Sequence, residues 1–137
     1  MIAPATVLLR ARRGSPFVDF IQVRGADLTG AAAAMQVRLY TDAPGDPLID
    51  LTLTTAPDEG LSIEVETVEG VPVSTLWIRI DETTLEDTLP FIGGDGQPTR
   101  KAGTDVSLVW DMPITPSGGI KGVWFRGDFI IEGAVTV

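Results

Sequence analysis

The chain has 137 residues, 44% of them hydrophobic, with 10 basic and 19 acidic side chains and neither cysteine nor histidine. That length fits one domain, 1–137, able to bury roughly two-thirds of the surface its unfolded form exposes. The missing residue types exclude disulfides, thiolate and imidazole metal centres, cysteine nucleophiles and histidine-based triads.

The net charge of −9 is unevenly spread. Residues 1–24 hold Arg10, Arg12, Arg13 and Arg24 against Asp19 alone, whereas residues 25–137 carry 6 basic and 18 acidic side chains. An acidic body repels phosphates, so nucleic acid is not an expected partner. The apolar runs fall short of the roughly 20 residues that span a bilayer, and no membrane partner is expected. The opening MIAPATVLLRARRGS lacks a positive region followed by a long apolar stretch, so a soluble, leaderless protein is expected. A positive mean hydropathy argues for a folded chain, with some apolar surface covered by copies of itself or by a partner.

Strand signals dominate in chain order. Residues 1–15 form a candidate basic arm in which Thr6–Arg10 is the first strand and the arginines of RARR are its outward side. A neighbouring copy's acidic body is a second destination for them. PFVDFIQV, 16–23, is almost continuously apolar and is expected to be a strand covered on both faces. In 31–40 the run MQVRLY alternates, with Met35, Val37 and Leu39 opposite Gln36, Arg38 and Tyr40. TDAPGDP, 41–47, is a turn. Residues 48–54 resume with Ile49, Leu51 and Leu53 on one face, and APDEG turns again.

Residues 61–66 place Leu61, Ile63 and Val65 inward and Ser62, Glu64 and Glu66 outward. After EGVP, residues 73–80 put Leu76, Ile78 and Ile80 on one face and Trp77 and Arg79 on the other. DETTLEDTL, 81–89, is the single helical candidate, with Asp81 as its cap. Residues 93–105, GGDGQPTRKAGTD, form a long loop. In 106–114, Val106, Leu108, Trp110, Met112 and Ile114 alternate with Ser107, Val109, Asp111 and Pro113. In 122–137, Val123, Phe125, Phe129, Ile131, Val135 and Val137 share a face with Gly127 and Gly133, glycines that mark a bulge or a close backbone approach. About eight to nine short strands with at most one short helix predict an all-β antiparallel sandwich or small barrel.

Few residues offer chemistry. Asp111 beside Trp110, with Asp105 or Asp128, can form a carboxylate pair for glycosidic cleavage, but a strand aspartate opposite an apolar face is more commonly a surface residue. Lys101 and Lys121 sit in glycine-rich loops, where a lysine keeps its proton. Asp42, Asp46 and Asp95 do not have the spacing of a calcium loop, and GGDGQPTRKAGT is not a phosphate loop. No catalytic residue, metal or cofactor is expected. Trp77, Trp110 and Trp124 can stack on sugars. Trp110 reads as core, whereas Trp77 and Trp124 lie opposite the main apolar stripes and suit an interface or a glycan contact.

Five segments, taken together and in order, resemble a group of small tailed-phage virion proteins. Asp27–Gly30 (DLTG) matches a turn of those proteins, Met35–Arg38 (MQVR) a strand, and Pro47–Thr55 the next strand. VSLVWDMPIT and IEGAVTV are similar to the final strand and ending. Trp110 stands where the family has tyrosine, and Asp111 occupies its strand aspartate. The chain departs from the pattern between 81 and 105, where the family is shorter.

The resemblance implies an immunoglobulin-like β-sandwich similar to the N-terminal modules of baseplate and tail-fibre attachment proteins. It implies a non-enzymatic structural role in the virion, assembled in the bacterial host cytoplasm, with other virion proteins and copies of itself as partners. Expected contact residues are Arg10, Arg12, Arg13, Trp77, Trp124, Arg100 and Lys101. A capsid decoration or head-fibre protein and a carbohydrate-binding module are the alternative readings.

Overall fold

Alternation with a period of two runs through most of this chain, and in space it produces two sheets that each turn an apolar face to the other. The computed structural model describes residues 4–12, 14–54, 58–88 and 106–132. Within them the elements are β1 (Ala5–Thr6), β2 (Leu9–Arg12), β3 (Phe17–Arg24), β4 (Ala32–Arg38), β5 (Ile49–Thr52), β6 (Gly60–Val68), β7 (Val71–Ile80), α1 (Glu82–Thr88), β8 (Val106–Thr115) and β9 (Gly122–Glu132). The larger sheet runs β1-β9-β8-β4-β5, with β2 also on β9, and the smaller runs β3-β7-β6. The fold is an all-β sandwich with one short helix, as the spacing of the turns predicts.

The core lies between the sheets. Met35 and Val37 of β4, Leu108, Met112 and Ile114 of β8, and Phe129 of β9 are buried against Leu61 of β6 and Leu76, Ile78 and Ile80 of β7. Phe17 and Phe129 meet across the layers edge to face, with ring centroids 5.4 Å apart. Burying such side chains contributes about 1.5–3 kcal/mol each.

Local chemistry sets the turns. The β6–β7 hairpin closes through Glu69 and Gly70, with φ of 52° and 79°, between the paired residues Val68 and Val71. Two successive positive φ values give the two-residue turn whose twist matches the flanking strands. In the DLTG turn, Asp27 Oδ1 accepts hydrogen bonds from the Thr29 amide (2.9 Å) and hydroxyl (2.6 Å). The hydroxyl bond, followed by the amide bond, holds the Asp27 carboxyl below its ordinary value. Leu28 is buried, its amide donates to Ser74 Oγ at 3.0 Å, and that hydroxyl donates to the Ala26 carbonyl at 2.7 Å. The buried Ser74 therefore has both a donor and an acceptor partner, and it ties the turn to the smaller sheet. At α1 the Leu85 amide donates to the Asp81 carbonyl, so Asp81 is the cap residue. Its own amide donates to Glu59 Oε2 at 2.7 Å.

Two expectations are corrected. The chain's first strand is split into β1 and β2, and both run parallel to β9. A tight hairpin enforces antiparallel pairing, but these strands are joined to β9 through the rest of the fold, so no turn imposes it. Nor is β3 covered on both faces. It is an edge strand, and Val18 and Phe20 on its outer side are 54% and 48% exposed.

The parallel edge is held by an indole. Trp110 pairs with Gly127 in the β8–β9 ladder. Its Nε1 donates to the Val7 carbonyl at 3.0 Å, and that carbonyl lies where a side chain at Gly127 would stand. The Val7 amide donates to the Arg126 carbonyl at 2.8 Å. A Cβ at Gly127 would overlap the Val7 carbonyl oxygen. Gly127→Ala is expected to lower stability by about 2 kcal/mol in urea unfolding. Deleting residues 1–8 should remove most of that penalty, because the residue it collides with is gone. Trp110→Phe, which orphans the Val7 carbonyl, is expected to cost about 1–3 kcal/mol.

Candidate functional site

The smaller sheet turns an apolar and aromatic face to solvent. Its registers define four rows across β3, β7 and β6: Val18–Arg79–Gly60, Phe20–Trp77–Ser62, Gln22–Thr75–Glu64 and Arg24–Val73–Glu66. In the second row the Phe20 and Trp77 ring centroids are 5.0 Å apart and tilted by 48°. Trp77 is half-buried between its neighbours. Its Nε1 is buried and has no hydrogen-bond partner among the described residues. Gln22 Nε2 donates to Thr75 Oγ1 at 3.3 Å and stiffens the third row.

Two recesses flank the indole. One, of about 280 Å³, lies between Phe20, Trp77, Thr75, Glu64 and Glu66. The other, of about 200 Å³, lies between Val18, Trp77, Arg79 and Asp58. Arg79 is drawn toward Asp81 at 3.4 Å with both side chains well exposed, a pair worth little to stability. The face thus has an aromatic centre and a charged rim, basic at Arg24 on one edge strand and acidic at Glu64 and Glu66 on the other. That is the composition of a contact surface, in which a few aromatic anchors carry most of the energy.

The larger sheet has a different outer face. Asp50, Gln36, Asp111 and Arg126 form one row across β5, β4, β8 and β9, and Arg38, Val109 and Asp128 form the next. Asp111 therefore stands directly opposite Arg126, with Asp128 diagonal to it, while Trp110 is turned into the core. Burial raises the Asp111 carboxyl from its ordinary value of 3.8; Arg38 opposes this, Asp42 adds to it, and Lys121 opposes it. Arg38 is itself committed, since its Nη1 donates to the carbonyls of Ala43 (3.1 Å) and Gly45 (2.7 Å) and so pins the turn after β4. Asp111 is a residue of a charged sheet surface, on the face opposite the core residue Trp110, as strand alternation requires. Its partner in sequence, Asp105, lies outside the described residues.

The residues singled out from sequence are dispersed. Arg10 and Arg12 are exposed on the outer side of β2, opposite Ile130 and Glu132, while Leu9 and Ala11 are buried. Trp77 is central to the aromatic face. Trp124 sits at the irregularity where the β8–β9 register shifts at Met112/Pro113, and it packs half-buried against the core. The extra residue there displaces it from the outward position that simple alternation assigns. Arg13, Arg100 and Lys101 lie outside the described residues. Phe20 and Val18 were not among the expected contact residues, although the apolar run PFVDFIQV contains them. No protein-family model matches the chain, and no curated protein matches it in sequence.

The raised Asp111 carboxyl has a testable consequence. The folded protein takes up a proton at this carboxyl more readily than the unfolded chain does, so stability falls as pH rises from about 3.8 through the folded value. Asp111→Asn is expected to raise the unfolding midpoint at pH 7. The difference from wild type should shrink as pH is lowered below the ordinary aspartate range in a series of thermal melts.

Proposed function

We propose that this chain is a non-enzymatic structural protein of a tailed bacteriophage particle, an immunoglobulin-like sandwich that joins or decorates the tail and baseplate–fibre region. It acts through contacts with other virion proteins and with copies of itself. The observation that carries the contact reading is the solvent-facing Phe20–Trp77 pair with Val18 beside it, on the outside of a sheet whose other face already fills the core. Large apolar side chains gathered on one sheet face mark an interaction surface. The particle assignment rests on the ordered sequence resemblance at residues 27–30, 35–38, 47–55 and 106–115. Arg10 and Arg12, exposed on the parallel edge, provide a second, basic contact.

A capsid decoration or head-fibre protein would use the same surface at another place on the particle. A glycan contact would use the same rings, with Gln22, Ser62 and Glu64 around them. The 48° tilt denies a sugar one flat platform shared by both rings, so a protein partner is the better fit.

Antibody–gold labelling of particles is expected to mark the tail end. Label over the head would move the protein to the capsid surface, and free protein with no particle label would reject the assignment. The double variant Val18→Ser/Phe20→Ser is expected to reduce incorporation at least tenfold while costing about 1 kcal/mol of stability through the lost ring pair. Incorporation at the wild-type level would remove this face from the contact. Replacing Arg10, Arg12 and Arg13 by glutamate tests the basic edge in the same assay.

A further inference from the structure

Among the described residues β6 is an edge strand, and its side away from β7 has the form of a strand acceptor. The Leu61 carbonyl is turned away from β7 and accepts the Thr54 amide at 2.8 Å, and Leu53 forms an isolated parallel bridge with Leu61. In an antiparallel strand, the residues whose amide and carbonyl point to one side alternate with those pointing to the other. The amides and carbonyls of Ile63, Val65 and Thr67 therefore point away from β7, as the Leu61 carbonyl does. Among the described residues, no backbone bond outside the β6–β7 ladder reaches them.

The two sides of this edge differ in chemistry. A groove of about 660 Å³ runs along this edge, with Leu28, Ala31, Leu53, Ile63 and Val65 as its apolar lining and Thr29, Thr54, Ser62 and Glu64 as its polar one, and Leu53 is exposed. On the outer side stand Ser62, Glu64 and Glu66. Between residues 58 and 69 the chain carries Asp58, Glu59, Glu64, Glu66 and Glu69 and no basic residue.

We propose that this edge takes up an extended segment of a partner protein in which apolar and basic residues alternate. Main-chain bonds to Ile63, Val65 and Thr67 would extend the smaller sheet by one strand. Alternate side chains of the added strand point to opposite faces. One set fills the groove, and the other, being basic, lies beside Glu64 and Glu66 at cross-strand distance. An isolated acidic sheet edge resists pairing with a copy of itself, which selects a basic partner over a like one. The inference rests on the sheet edge and not on the particle assignment, so either can fail without the other.

The test is fluorescence anisotropy of the full chain with a labelled peptide, Thr-Val-Lys-Val-Arg-Val-Lys-Thr. Saturable binding is expected. Binding should be at least tenfold weaker for the same peptide with glutamate at its basic positions, and for the Glu64→Lys/Glu66→Lys protein. Val65→Pro should abolish it while the protein still folds, because the Val65 amide does not bond β7 and proline is tolerated there. Two peptides N-methylated at odd or at even positions leave the protein untouched. One should lose binding and the other keep it, as strand pairing requires. Equal binding of both, equal binding of the acidic peptide, or no saturation at millimolar peptide would overturn the proposal. So would self-association of the chain without peptide that Val65→Pro abolishes, since the edge would then belong to a second copy.

Discussion

The hydrogen bond from the Trp110 indole to the Val7 carbonyl holds an edge that no turn organises. Among the described residues, strands β1 and β2 have no hairpin to place them, and they are held by the parallel ladder with β9. The Val7 backbone lies where a side chain at Gly127 would stand, and any Cβ there would collide with it. The glycine thus admits the N-terminal segment against β9, and the indole, from the neighbouring strand β8, ties down the carbonyl that fills the place. A glycine inside a strand often marks such a close approach of another backbone.

The sandwich is chemically lopsided. The larger sheet covers its outer face with Asp50, Gln36, Asp111, Arg126, Arg38 and Asp128, polar side chains of both signs that suit water. The smaller sheet has three strands among the described residues, and it offers Val18, Phe20 and Trp77. The proposed contact would cover these apolar side chains. In that contact the charged rim would set orientation, since Arg24 and Glu66 occupy opposite edges of one row.

Much of the fold is legible in the residues, and the exceptions have physical causes. Clean alternation reports a strand with one wet face, so β4, β6, β7 and β8 read correctly, as did Trp110 in the core. Asp81 and the short helix follow from capping chemistry. Residues 16–23 misled because an apolar run looks the same whether its second face is buried in the protein or left for a partner. Periodicity measures hydrophobicity, not coverage. Trp124 misled because one inserted residue shifts the alternation, and nothing in the local sequence signals it. The parallel placement of β1 and β2 is a long-range fact, invisible to any window of ten or fifteen residues. The placement of Trp77 opposite the core stripe follows from its own strand's alternation. Its companion Phe20 depends on a register between strands more than fifty residues apart.

The first strands lie on the last one described, and this sets an order of events as the chain is made. β1 and β2 leave the ribosome early, yet the edge they need is created only when residues 122–132 emerge and pair with β8. Until β9 is made, the segment TVLLRAR stays without its ladder. Contacts so far apart in sequence slow folding, because the loop must be closed before they reward it. The arginines at alternate positions of that segment then have a use during synthesis as well as after it: like charges on a waiting strand discourage it from pairing with its equal on a neighbouring nascent chain.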